Sequence, residues 1–180
     1  MNVLGRGGRN RTIAVAAIAL SAFGLAGCGA GTGPGVAAVS QGVVVTEKQV
    51  DDVMADFERA GAAGQIQRGA VVAMLAMRPV ILEVGKSSGA VIGEDAIRAS
   101  LAQQLPGASE ATVQFQQTQA TGGAMNEAAL GEFEKAMQSA DINISPRYGT
   151  YDPQKGFAPS APNWLSTAPG GAEGLPPGHP

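Results

Sequence analysis

The chain has 180 residues, enough for one domain with a real core and too few for two large ones. Aromatic residues supply only 4% of it, so Ala, Val, Leu, Ile and Met must build that core, which points to a thin, helical one. A net charge of −3 excludes the basic footprint of a nucleic-acid binder, and a single cysteine excludes an intramolecular disulfide.

Arg6, Arg9 and Arg11 precede the apolar run Thr12–Leu25, which leads into Leu25-Ala26-Gly27-Cys28. Basic, then apolar, then small is the three-part order of an export signal. The run of 14 residues falls short of the roughly 20 that a membrane-spanning helix needs. The Leu-Ala-Gly-Cys tetrad resembles the lipobox of bacterial lipoprotein signals. That resemblance implies that residues 1–27 are removed and that Cys28 takes a diacylglyceryl group. The new amino terminus is then open to a further acyl chain such as palmitate, and the protein is held at the extracytoplasmic face of the cell membrane. The competing reading is an ordinary secretory signal cut near Ala26. With no adjacent Arg-Arg pair, general secretion is favoured over the twin-arginine route. Losing the three arginines takes the net charge to −6. Residues 28–35, rich in glycine, read as a flexible tether.

From Val36 to Val45, two short apolar pieces flank Gln41-Gly42, the pattern of a tight β-hairpin. Thr46 and Gln49 are spaced as a capping box. Val50, Val53, Met54 and Phe57 then fall on one stripe of a helix over 47–60, with Asp51, Asp52, Asp56 and Glu58 off it. After Gly61 and Gly64 a second helical segment is expected over 65–84, kinked or divided at Pro79 and ended by Gly85-Lys-Ser-Ser-Gly89.

A third helix over 94–105 starts with Glu94 and Asp95 and stops at Pro106-Gly107. Ser109 caps a fourth, with Val113 and Phe115, and Asn126 caps a fifth, with Leu130, Phe133 and Met137. Thr121-Gly122-Gly123 is expected to separate those two. Ile142 and Ile144 alternate with polar neighbours as in a half-buried strand, and the opening hairpin is the available partner. The fold class is therefore α+β, mostly α-helical: four or five helices closed by a small β element that pairs the N- and C-terminal strands. Residues 36–152 form the domain, and 153–180 read as a Pro/Gly-rich tail without a core, carrying Trp164.

This order of elements resembles the N-terminal chaperone domain of SurA-type proteins, in the form seen in small actinobacterial lipoproteins. The carriers are Val39-Ser-Gln-Gly-Val-Val-Val-Thr-Glu-Lys-Gln-Val-Asp51 and Ile142-Asn-Ile-Ser-Pro-Arg-Tyr-Gly-Thr-Tyr-Asp152. The long second helix of that family usually carries acidic or amide residues and no proline, a departure at Pro79 here. The resemblance implies binding of peptides or unfolded exported chains. It does not imply prolyl isomerisation, since no stretch of about a hundred residues is left for the parvulin domain of longer relatives.

Catalysis by a Ser, Cys or Lys nucleophile needs a base in reach, and a metal needs several ligands at usable spacing. The one histidine, His179, lies in the tail, and the one cysteine is taken by lipid. The Asp51-Asp52 and Glu94-Asp95 pairs sit in first helical turns, where the helix dipole explains them. Gly85-Lys86-Ser87 lacks the earlier glycine and preceding strand of a phosphate loop. No enzyme activity, cofactor or metal is expected.

Met54, Met74, Met77, Met125 and Met137 fill a core poor in aromatics, and as a set they can also line an adaptable groove. The candidate groove residues are Met54, Phe57, Met74, Leu75 and Met77. The expected function is a membrane-anchored, chaperone-like domain that binds unfolded or extended exported chains. The second reading is a non-catalytic scaffold lipoprotein that docks one envelope partner.

Overall fold

The structure is a computed structural model that describes residues 33–160. The signal segment, Cys28, most of the tether, and residues 161–180 with Trp164 and His179 lie outside the described residues.

The chain enters through β1 (Val36–Ser40), turns at Gln41-Gly42 and returns as β2 (Val43–Thr46). Both turn residues have positive φ, 49° at Gln41 and 75° at Gly42, which twists the two-residue turn in the sense the strands need. The capping box then starts α1 (Glu47–Arg59): the Thr46 side chain accepts from Gln49 N–H, and the Gln49 side chain accepts from Thr46 N–H. Val50 and Val53 are buried as the spacing requires, but so is Asp56, which the stripe had left outside.

α2 (Arg68–Ser88) is a single helix through Pro79, so of the expected kink or division the division does not occur. Proline in a helix interior costs about 3 kcal/mol. Beyond it the helix buries Val80, Ile81 and Val84, each contributing about 1.5–3 kcal/mol, so continuing the helix wins. The expected stop at Gly85 is also moved: Gly85 is buried within the helix, and Gly89 ends it at φ 73°. An ideal Cβ on Gly85 would lie 2.6 Å from Thr121 Cγ2 and 3.1 Å from Val91 Cγ2, so the glycine is what lets the neighbouring helix approach.

α3 (Glu94–Gln104) is followed by α4 (Glu110–Gly123), whose Ser109 cap accepts from Thr112 N–H. Thr121-Gly122-Gly123 belongs to α4 and is not the separator the sequence suggested. Thr121 is fully buried at the Gly85 contact, and that packing offsets the poor helix propensity of the two glycines. α5 (Glu127–Gln138) is capped by Asn126. Its buried residue is Ala129, while Leu130 remains 47% exposed.

β3 (Ile142–Ile144) pairs antiparallel with β1, as expected, giving a sheet in the order β2-β1-β3. β4 (Gly149–Asp152) and β5 (Gly156–Pro159) form a second, two-stranded sheet. β5 lies past Asp152, where the sequence suggested a tail. Asp152 Oδ1 accepts from Gln154 N–H and Lys155 N–H, and Gly156 at φ 79° completes the reversal. Phe157 then packs on the main core.

That core lies between the first sheet, α1, α2 and α4, around Val50, Val53, Val71, Val72, Leu75 and Phe115. A second cluster joins α2 to α5 through Ile81, Val84, Met125 and Ala129. The molecule is thus α+β and mostly helical, with five helices among the described residues.

Candidate peptide-binding clefts

A recess with an apolar floor lies between α1, α3 and α4 and has a volume of about 400 Å³. Its floor is Phe57, Leu101 and Leu105, and its rim carries Gln65, Gln104 and Gln116. No charged side chain lines it. Phe57 is fixed by an edge-on contact with the fully buried Phe115, ring centroids 5.9 Å apart and planes at 90°.

Beside the cleft, Asp56 ties α1 to the start of α4. Its Oδ2 accepts the Thr112 hydroxyl at 2.6 Å and Ser109 N–H at 2.7 Å, and Arg59 pairs with Oδ1. Arg59 also donates to the Pro106 carbonyl at 3.1 Å, so α1 is tied to the loop between α3 and α4. Burial by itself raises the Asp56 carboxyl pKa. The hydrogen bonds from Thr112 and Ser109, with the charge of Arg59, outweigh it and hold the group below its ordinary value.

A second cleft, of about 430 Å³, opens between α5 and the β4–β5 hairpin, lined by Met77, Phe133, Met137, Tyr151 and Phe157. A smaller recess of about 120 Å³ lies beside β2, over Leu75 and Pro79.

The five candidate groove residues are not gathered in one cleft. Phe57 is in the first, Met77 in the second and Leu75 in the third. Met54 packs against the main core and Met74 against both clusters, and Leu75 is only 4% exposed within the main core. The reason is helical phase. Leu75 is buried against the sheet and Met77, two positions on, turns toward α5, so the two diverge around one helix.

Sequence reasoning assigned none of Leu101, Leu105 and the three glutamines to a cleft, because leucines on a helix face read as core and amides carry no motif. It also missed the polar braces. Arg78 donates to Gln117 Oε1 at 2.9 Å and to Glu94 Oε1 at 3.1 Å. Gln117 Nε2 donates to the Ile92 carbonyl at 2.9 Å, and Thr121 Oγ1 accepts Ile92 N–H at 3.2 Å. Four side chains therefore fix the loop from α2 into α3. At the other end of the molecule the Tyr148 hydroxyl donates to Glu47, which also pairs with Arg147 at 3.1 Å. Burial, then that bond to Glu47, raises the Tyr148 pKa.

Among the described residues, no group of three His, Cys, Asp or Glu side chains could hold a metal ion. No described helix is long and apolar enough to cross a membrane. Searched against family models, curated proteins and solved structures, the chain matches none.

Proposed function

We propose that this chain is a lipoprotein, anchored through Cys28 at the outer face of the cell membrane, whose domain holds apolar side chains of extended or unfolded exported proteins. The observation that carries the reading is the cleft of about 400 Å³ over Phe57, Leu101 and Leu105. Its volume falls in the range of ligand-binding pockets, roughly 300–1,000 Å³. An apolar floor favours an apolar side chain, while a rim of three glutamines supplies both donors and acceptors to a peptide main chain. The absence of charge along that lining leaves little to discriminate between client sequences. The SurA-type resemblance of Val39–Asp51 and Ile142–Asp152 supports the same reading.

The test uses the full chain carrying Cys28→Ser, titrated against a reduced, unfolded secreted protein while aggregation and apolar-dye fluorescence are followed. Saturable suppression near equal molar ratio is the expected result. No suppression and no dye binding would sink the proposal.

A further inference from the structure

β2 is one of the two edge strands of the sheet β2-β1-β3, and its two most exposed residues are apolar: Val43 at 52% and Val44 at 48%. With Leu130 they are the exposed large hydrophobics among the described residues, and here two of the three are adjacent. The hydrogen-bond phase of the sheet is fixed by two bonds to the β3 side of β1. Gln41 N–H donates to the Asp141 carbonyl and Ser145 N–H to the Ala37 carbonyl, both at 2.9 Å. Odd-numbered residues of β1 therefore address β3, and even-numbered ones address β2. Ser40 and Ala38 bond across to their register partners Val43 and Val45. Val44, opposite Val39, is left with its N–H and carbonyl pointing away from the sheet.

Beside this edge lies the recess of about 120 Å³ over Leu75 and Pro79, with Arg78, Gln49 and Gln114 also on its lining, about the size for one aliphatic side chain. The free edge is short, because Thr46 N–H is already taken by Gln49 Oε1 at 2.8 Å.

We infer that β2 accepts a short, extended, apolar peptide segment as an added strand, hydrogen-bonded through Val44 with one side chain seated over Leu75 and Pro79. This rests on the peptide-binding reading above and names a second point of contact, which favours β-prone clients. The size of the edge selects the occupant. Four residues of strand span about 13 Å. A stable dimer needs about 800 Å² per partner, which so short an edge does not supply, whereas a peptide needs only a few main-chain bonds and one pocket.

The probe is the blocked hexapeptide Thr-Val-Thr-Val-Thr-Lys, added to the full chain carrying Cys28→Ser, with amide hydrogen exchange read residue by residue. Slowing of the Val44 N–H is the expected result. Val44→Pro removes that N–H without breaking a ladder bond, and an edge position facing solvent accepts proline. It should therefore keep the fold and weaken peptide binding about tenfold, the worth of one to two lost hydrogen bonds. Unchanged exchange at Val44 with equal binding by Val44→Pro overturns the inference and leaves the Phe57 cleft standing. Binding of neither the hexapeptide nor unfolded proteins overturns both readings. Protection of Val44 that rises with protein concentration and no peptide overturns it in favour of a second copy.

Discussion

The Asp56 carboxylate accepts the Thr112 hydroxyl at 2.6 Å, across 56 residues of chain, and the same oxygen accepts Ser109 N–H. One buried side chain of α1 thus does the work of an N-cap for α4, supplementing the cap that Ser109 itself provides. Asp56→Ala leaves a buried hydroxyl and a backbone N–H without their acceptor. The expected cost is about 2–3 kcal/mol, read from the urea midpoint of unfolding.

The same group sets part of the acid stability. Its pKa is lowered by folding, so its contribution is complete above the unfolded value, near 3.8, and is lost as the pH falls through that value toward the folded one. Asp56→Asn removes the titration while keeping the shape. Unfolding free energies measured between about pH 6 and pH 3 should therefore fall less steeply in Asp56→Asn than in the unaltered protein.

At Gly85, α2 packs directly against Thr121 of α4. Replacing a helical glycine by alanine ordinarily stabilises by up to about 1 kcal/mol. Here the new Cβ meets Thr121 Cγ2 at 2.6 Å, and overpacking of that kind costs about 1–3 kcal/mol, so Gly85→Ala should lower the melting temperature. Adding Thr121→Ser deletes the obstructing methyl while leaving an oxygen for Ile92 N–H, and the double variant should recover most of the loss.

Leu101 is half-buried on the floor of the first cleft and exposed enough to replace without opening the core. Leu101→Gln keeps a good helix former at that position. Titration against an unfolded client should show about a tenfold loss of affinity, the scale expected when one leucine contact of about 1.5 kcal/mol is removed. The melting temperature should move little. Retained affinity would move the client away from this cleft.

Acylation is tested independently of the domain. Cys28→Ser should abolish incorporation of labelled palmitate and shift the protein from the membrane fraction to the aqueous one. Absence of label in the unaltered protein would return the segment to an ordinary secretory signal.

Features governed by near neighbours were legible in the sequence. The Thr46–Gln49 box, the Ser109 and Asn126 caps and the Gln41-Gly42 turn each depend on a few consecutive residues, and each is where the residues put it. The pairing of β3 with β1 was also readable, since a lone alternating strand must find an edge. The β4–β5 hairpin had a local signal too, Asp152-Pro153 with Gly156 between Tyr151 and Phe157, but the Pro and Gly content around it read as tail.

The sequence by itself determined the order of the helices, the hairpin, and which aliphatic residues are buried in α1, though it left the number of helices at four or five. Tertiary structure alone decided that Pro79 stays inside α2, that Asp56 is buried, and that Met54 and Met77 pack against different clusters with Met74 touching both. Each of these depends on what another element, tens of residues away, places against the side chain. The balance between a helix break and the burial beyond it, or between desolvation and three hydrogen bonds, is set only when those partners meet.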